Sequence, residues 1–158
     1  MKMMSFIKNI TLIFMFGFLF SQHERDIIDG CDLPDSEEFG YLYLTDDGSV
    51  LYKSPETIGG WQFIVEGATV NGASGGDTAA NGLFAQSLGS TVLAFSLSGG
   101  SIPAGCGTLI NLSLSGISSG LVDIIVSDVN GQAISFEYFE ENDSVCPEGT
   151  VPVYDDYY

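Results

Sequence analysis

The chain has 158 residues, which suits one domain, and it carries 21 Asp and Glu against only four Lys and Arg. The formal net charge is −17, and the four bases do not form a cluster in the sequence. This balance argues against nucleic-acid binding and against binding to an anionic membrane surface. Hydrophobic residues make up 45% of the chain, so a buried core can form.

The first 21 residues have the features of a secretory signal sequence. Lys2 and Lys8 accompany an uncharged apolar run over 10–20, shorter than the roughly 20 residues of a membrane span. Ser21 supplies a small residue before the cleavage point. We therefore predict a signal helix over 1–21 and a secreted or surface-exposed protein without membrane attachment after cleavage. An uncleaved N-terminal anchor is the alternative.

Acidic segments without periodicity flank the rest of the chain. Residues 22–38 predict an N-terminal arm or linker. Residues 140–158 predict an acidic tail that ends in several tyrosines. Residues 39–139 between them are expected to form one domain.

Within 39–139, apolar residues alternate with polar or small ones in short segments at spacings near ten residues. Loops are predicted over 71–81, with at most one helical turn, and over 99–107. This pattern predicts an all-β fold, an antiparallel jelly roll or β-sandwich of about eight or nine strands. The predicted strands lie, in chain order, at 39–44, 50–52, 61–66, 83–88, 93–97, 110–115, 121–126 and 134–138.

Three cysteines, Cys31, Cys106 and Cys146, allow one disulfide and leave one cysteine over. Export makes a disulfide reasonable. All three pairings are open; Cys106–Cys146 is favoured because both residues flank the β-rich region, with Cys31–Cys146 close behind. There is no CxxC motif and the only histidine is His23, so the spacing does not indicate a metal site.

Catalytic motifs are weak. Two G-x-S-x-G matches occur at 72–76 and 116–120, but no helix is predicted after either and His23 precedes both. Most acids lie in the arms and turns, so a glycosidase pair is not expected from the strand carboxylates. The chain is therefore predicted not to be an enzyme. The carboxylates considered are Glu66, Asp123 and Glu137.

Two acidic turns could offer oxygen atoms to Ca²⁺. These turns are Asp46-Asp47 and Asp128-x-Asn130. Neither completes the D-x-[DN]-x-[DN]-G loop of a calcium-binding hand. No cofactor is therefore predicted, and metal binding stays open.

Four aromatic residues are candidates for ligand contact, because exposed rings can stack on sugars. They are Tyr41, Tyr43, Tyr52 and Trp61. Trp61 alternates with two other apolar residues along its predicted strand. Burial in the core is therefore favoured for this side chain, and ligand contact is the alternative.

Several segments resemble the cohesin-like group of extracellular β-sandwich modules, relatives of some carbohydrate-binding modules. They are Ile58-Gly-Gly-Trp-Gln-Phe-Ile-Val65, Thr91-Val-Leu-Ala-Phe95, Ile102-Pro-Ala-Gly-Cys-Gly-Thr-Leu109 and Asn111-Leu-Ser-Leu114. The resemblance implies a nine-stranded jelly roll with an adhesive or scaffolding role and no catalysis. The chain departs from the pattern at Glu66-Gly67, which stands where an acidic pair is usual.

The sequence thus predicts a secreted or surface-exposed, non-catalytic binding module. Its partner is expected to be a protein or a polysaccharide at the cell surface. The first alternative is a structural subunit of a surface layer, filament or virion. The second is a carbohydrate-binding module.

Overall fold

The computed structural model describes residues 26–141. The predicted signal peptide, the first residues of the arm, most of the tail and Cys146 lie outside the described residues. None of the helices in 26–141 has the length and hydropathy to cross a membrane. A 3-10 helix at Gly30–Asp32 precedes β1 (Gly40–Leu44), β2 (Ser49–Ser54), β3 (Gly60–Ser74), α1 (Gly76–Ala80), β4 (Phe84–Leu88), β5 (Thr91–Phe95), β6 (Gly105–Ser127), β7 (Ala133–Ile134) and β8 (Phe136–Tyr138).

The strands belong to one hydrogen-bonded sheet in the order β4-β5-β3-β6-β2-β1-β8, with β7 paired to β6. Buried residues from both ends of this order meet in a single core cluster. The sheet therefore folds over on itself and makes two layers. The prediction of an all-β sandwich with about eight or nine strands is confirmed.

β3 and β6 contribute to both layers. The first half of β3 lies between β5 and the second half of β6, and this set with β4 is called the front layer. The first half of β6 pairs with β2, and this set with β1 and β8 is called the back layer. The two long strands therefore hold the layers together covalently as well as by hydrogen bonds.

Bulges allow the two long strands to bend between the layers. The register of the β3–β6 pairing shifts between Glu66 and Ala68. Gly67 lies between them with φ 78°, and a β carbon there would come within 2.5 Å of the Ile117 carbonyl oxygen. Such a backbone suits glycine and bends the bulged strand.

Alternating apolar residues form the core, as the period-2 pattern predicts. Phe63 is fully buried, and its ring stacks on that of Trp61 with centroids 5.0 Å apart. The indole Nε1 of Trp61 donates to Thr78 Oγ1 at 3.1 Å, so its polar group is satisfied inside the core. Thr78 belongs to α1, which thereby closes one end of the sandwich.

Three details of the predicted strands are wrong. β3 continues to Ser74, beyond its predicted end at residue 66, because the first half of β6 supplies a pairing partner. For the same reason β6 runs unbroken through 105–127, where part of a loop and two strands were predicted. β8 pairs in parallel with β1, so the sheet is mixed and not wholly antiparallel.

The described part of the predicted arm packs on the outer side of the back layer. Ile27 and Leu33 are buried against Leu51 of β2 in a second, smaller apolar cluster. Lys53 Nζ donates to the Leu33 carbonyl oxygen at 2.8 Å and lies 2.7 Å from a carboxylate oxygen of Asp35. The arm is thus held by apolar contacts and by a lysine whose side chain is mostly buried.

A disulfide between Cys31 and Cys106 fixes the arm to β6. The favoured pairing of Cys106 with Cys146 is therefore wrong, because Cys106 is bonded to Cys31. The physical reason is a close backbone approach: a β carbon on Gly30 would lie 2.3 Å from the Gly107 carbonyl oxygen. Glycine at this contact lets the two neighbouring cysteines meet, which linear spacing does not reveal.

We predict that removing this disulfide destabilises the domain strongly. The bridge joins residues 75 positions apart, and a loop of that length corresponds to about 4 kcal/mol of unfolding free energy. The test is urea unfolding of C31S/C106S, with C146S as the control and as the background so that thiol exchange cannot occur. A loss below about 1 kcal/mol would contradict this prediction.

Candidate functional site

The outer side of the front layer presents side chains from four adjacent strands. Antiparallel pairing places them in three rows across the strands. The rows are Phe84–Phe95–Gly60–Ser127, Gln86–Leu93–Gln62–Ile125 and Leu88–Thr91–Ile64–Val122. We call these residues the uncharged face.

The uncharged face is apolar and open to solvent. Leu88 is 85% exposed, Ile125 58% and Phe84 49%. The rings of Phe84 and Phe95 pack edge to face across β4 and β5, with centroids 5.9 Å apart. None of the residues in the three rows carries a charge, although the chain has 21 Asp and Glu. The nearest exposed acids are Asp123, in the β6 bulge between Val122 and Ile125, and Glu66, which follows the third row on β3. Clustered exposed apolar side chains of this kind are typical of interaction sites.

The two layers differ in how their outer sides are covered. The arm covers part of the back layer through Ile27 and Leu33. Tyr41 and Tyr43 of β1 also lie on that side, and both rings pack edge to face against Phe139. The uncharged face has no corresponding cover among residues 26–141. It is therefore the less covered of the two outer sides.

The structure does not bring the four predicted ligand-facing aromatics together. Trp61 is buried in the core with an exposure of 4%, as its alternation favours. The ligand-facing prediction is wrong for Tyr52, which is buried with an exposure of 3%. The buried hydroxyl of Tyr52 has a hydrogen-bond partner, because it donates to Asp77 Oδ2 at 2.8 Å. Tyr41 and Tyr43 are half-buried on the back layer, beside the arm.

Tyr43 borders an acidic groove of about 530 Å³ between the arm and the β1–β2 turn. Asp26, Asp46, Asp47 and Glu141 also line this groove. Burial raises the pKa of Tyr43 to about 12, and the nearby Glu141 carboxylate contributes to the shift. The neutral phenol is thus favoured in the folded protein, because its anion would be desolvated beside a negative charge.

The strand carboxylates do not form a catalytic pair. Glu66 and Asp123 are exposed at bends of β3 and β6, and Glu137 is exposed on β8 in the back layer. Among residues 26–141, no group of three or more His, Cys, Asp and Glu side chains could hold a metal ion.

The first G-x-S-x-G match differs from the prediction, because α1 does follow Ser74 after one residue. Ser74 ends β3, whereas Ser118 lies within β6. The chain's one histidine, His23, lies outside the described residues. The described geometry therefore assigns neither serine a catalytic base.

The two candidate calcium turns use their carboxylates to close the turns themselves. Asp128 Oδ1 accepts from the backbone N–H groups of Asn130 and Gln132, each at 2.8 Å. These hydrogen bonds hold the pKa of Asp128 below its usual value. Asp47 likewise accepts from Thr45 and Ser49, and its pKa is also lowered. These hydrogen bonds show that both carboxylates stabilise their own turns.

Sequence reasoning missed the uncharged face, although a signal for it exists. No Asp, Glu, Lys, Arg or His occurs from residue 78 to residue 122, between Asp77 and Asp123. In an acidic chain this gap marks the part of the sequence that supplies β4, β5 and most of β6. Linear alternation could not show that β4, β5 and β3 are neighbours.

No protein-family model and no curated protein match the chain. Among solved structures, it is similar to a non-cellulosomal cohesin from the hyperthermophilic archaeon Archaeoglobus fulgidus, with 16% sequence identity and a TM-score of 0.42. The similarity covers 63% of this chain and 83% of the cohesin. At this identity and TM-score, the similarity carries no argument about what the chain binds.

We predict that alkaline pH destabilises the domain partly through Tyr43. Up to about pH 10 the phenol is protonated in both folded and unfolded chains; above it the unfolded chain loses the proton first. Stability should therefore fall as pH rises from about 10 to about 12, the raised pKa of Tyr43. Urea unfolding of Tyr43→Phe across this range should show a shallower decline, and Glu141→Gln a smaller effect of the same sign. A slope unchanged in Tyr43→Phe would contradict the prediction.

Proposed function

We propose that the chain is a secreted or surface-exposed, non-catalytic binding module that docks a protein through the uncharged face. The observation that carries this proposal is the absence of charge from three rows of outward side chains on a chain with 21 acids. Charged residues are depleted at the centres of protein interfaces, where burying an unpaired charge is costly. The composition of this face fits that requirement.

Two features support export. The N-terminal run has the composition of a signal sequence. The Cys31–Cys106 disulfide suits an oxidising compartment, where such bridges persist. Both features support a domain that functions outside the cytoplasm, where it would bind a secreted or surface-exposed partner.

A protein fits the uncharged face better than a polysaccharide does. Platforms for sugars use exposed aromatic rings together with polar groups that hydrogen-bond to hydroxyls. Two of the four candidate rings, Trp61 and Tyr52, are buried. The rings on the face itself, Phe84 and Phe95, pack edge to face against each other, and aliphatic side chains occupy much of the rest. We expect a partner with an apolar, uncharged patch, surrounded by basic residues because the rest of this chain is acidic.

The test is a matched pair of substitutions on one strand. Ile125 lies in the uncharged face, whereas Ile117 is 90% exposed at the bend of β6, beyond the three rows. Ile125→Glu and Ile117→Glu change the net charge equally and place an acid at an already exposed position. Purified 22–158 and both variants would be used to capture partners from native culture medium and cell-surface fractions. The captured protein would then be purified and titrated against each bait.

We expect the unmodified chain and Ile117→Glu to bind the partner with the same Kd. Ile125→Glu should bind at least about 30-fold more weakly, the effect of losing one central contact of about 2 kcal/mol. Equal binding by all three baits would sink the assignment of this face. Capture of glycan alone would favour the carbohydrate-binding alternative.

A further inference from the structure

We propose that the free edge of β4 pairs with β4 of a second copy, joining two front layers into one continuous sheet. β4 is the last strand at its end of the sheet order and pairs only with β5. The backbone groups of 84–88 on the side away from β5 have no backbone partner among residues 26–141. A strand of this kind is a template for pairing with another strand.

β4 lacks the features that normally protect an edge. Its five residues, Phe-Ala-Gln-Ser-Leu, contain no charge and no proline. Its pairing with β5 from Phe84↔Phe95 to Leu88↔Thr91 shows no register shift, so no bulge turns the edge away. Lys, Pro and bulges are the usual devices against edge-to-edge pairing. Their absence leaves this edge competent to pair.

Glycines lie near both ends of β4. Gly82 precedes the strand and Gly89 follows it, and a β carbon added to either would meet nothing within 4 Å. Leu88, next to Gly89, is 85% exposed.

The occupant is a second copy because the strand is complementary to itself. Antiparallel pairing of all five residues requires a two-fold axis at Gln86, which sets Phe84 opposite Leu88 of the second copy. The Gln86 amides of the two copies then lie opposite each other on the outer side, within hydrogen-bonding reach. Large apolar side chains meet at both ends, and the polar pair lies at the centre.

Charge restricts where two copies can meet. Each copy carries a net charge of −17, so most relative orientations bring acids together. β4 lies within residues 78–122, which contain no charged residue, so contact along this edge avoids direct acid–acid pairs. The remaining long-range repulsion is screened by salt. Self-association should therefore strengthen as ionic strength rises.

The pairing is expected to be weak. Five paired residues bury less surface than the roughly 1,200 Å² at which stable interfaces begin. The dimer should therefore form at high concentration or where copies are held close together on a surface. It leaves the uncharged face open on the same side of both copies, so two docking faces would lie side by side.

The test is sedimentation velocity of 22–158 carrying Cys146→Ser, over a wide concentration range and at low and high salt. With no further substitution, this chain should give a reversible dimer that a higher salt concentration favours. Gln86→Lys opposes two lysines across the axis and should weaken the dimer about tenfold. Gln62→Lys is the matched control: it makes the same substitution on the outer side of β3, two strands from the edge, and should leave the dimer unchanged.

A charge-swap experiment gives the register directly. Gln86→Glu alone should dimerise as poorly as Gln86→Lys, whereas an equimolar mixture of the two should recover a heterodimer through opposite charges across the axis. A chain that stays monomeric at every concentration and salt would overturn the proposal. So would a dimer that Gln86→Lys and Gln62→Lys weaken equally, since that result would place the contact on the uncharged face.

Discussion

The pairing of β3 with β6 is the interaction on which the rest of the structure depends. These strands span 15 and 23 residues, and their ladder runs from one layer into the other. β5 and β4 attach to one end of it, and β2 and β1 attach to the other. The bulge at Gly67 bends the ladder and brings the two layers face to face over Trp61 and Phe63. Without that bend the apolar sides would remain in solvent.

The two outer sides of the sandwich differ because the N-terminal arm packs against only one of them. The arm crosses the back layer, where Cys31 bonds to Cys106 and Lys53 holds the carbonyl oxygens of Leu33 and Cys31. The apolar surface of that layer is thereby partly covered within the chain itself. The outer side of the front layer has exposed apolar residues and lacks such a cover within residues 26–141. The difference supports binding as the role of the front layer and stability as the role of the arm.

Much of the fold could be predicted from the sequence, because period-2 alternation reports which side of each strand is buried. β1, β2, β5 and the positions of Trp61 and Phe63 follow from that pattern. The continuity of β6 could not be predicted, since bulges at glycines look like loops when the partner strand is unknown. The disulfide was missed for a similar reason: the Gly30–Gly107 contact that allows it joins segments distant in sequence. Pairing across the sheet, rather than local propensity, decided each of these features.

The distribution of charge links the fold to both proposals. A chain with this net charge resists association by default, because its acids repel those of any identical copy and of any acidic partner. Association therefore requires a surface that excludes charge, and the segment from residue 78 to 122 provides one. The fold divides that segment between β4 and β5 of the front layer and most of β6, which contributes to both layers. Core packing accounts for neutral side chains in the interior, but it does not require Phe84, Leu88 and Leu93 to be uncharged on an outer side. The proposed contact with another molecule accounts for it.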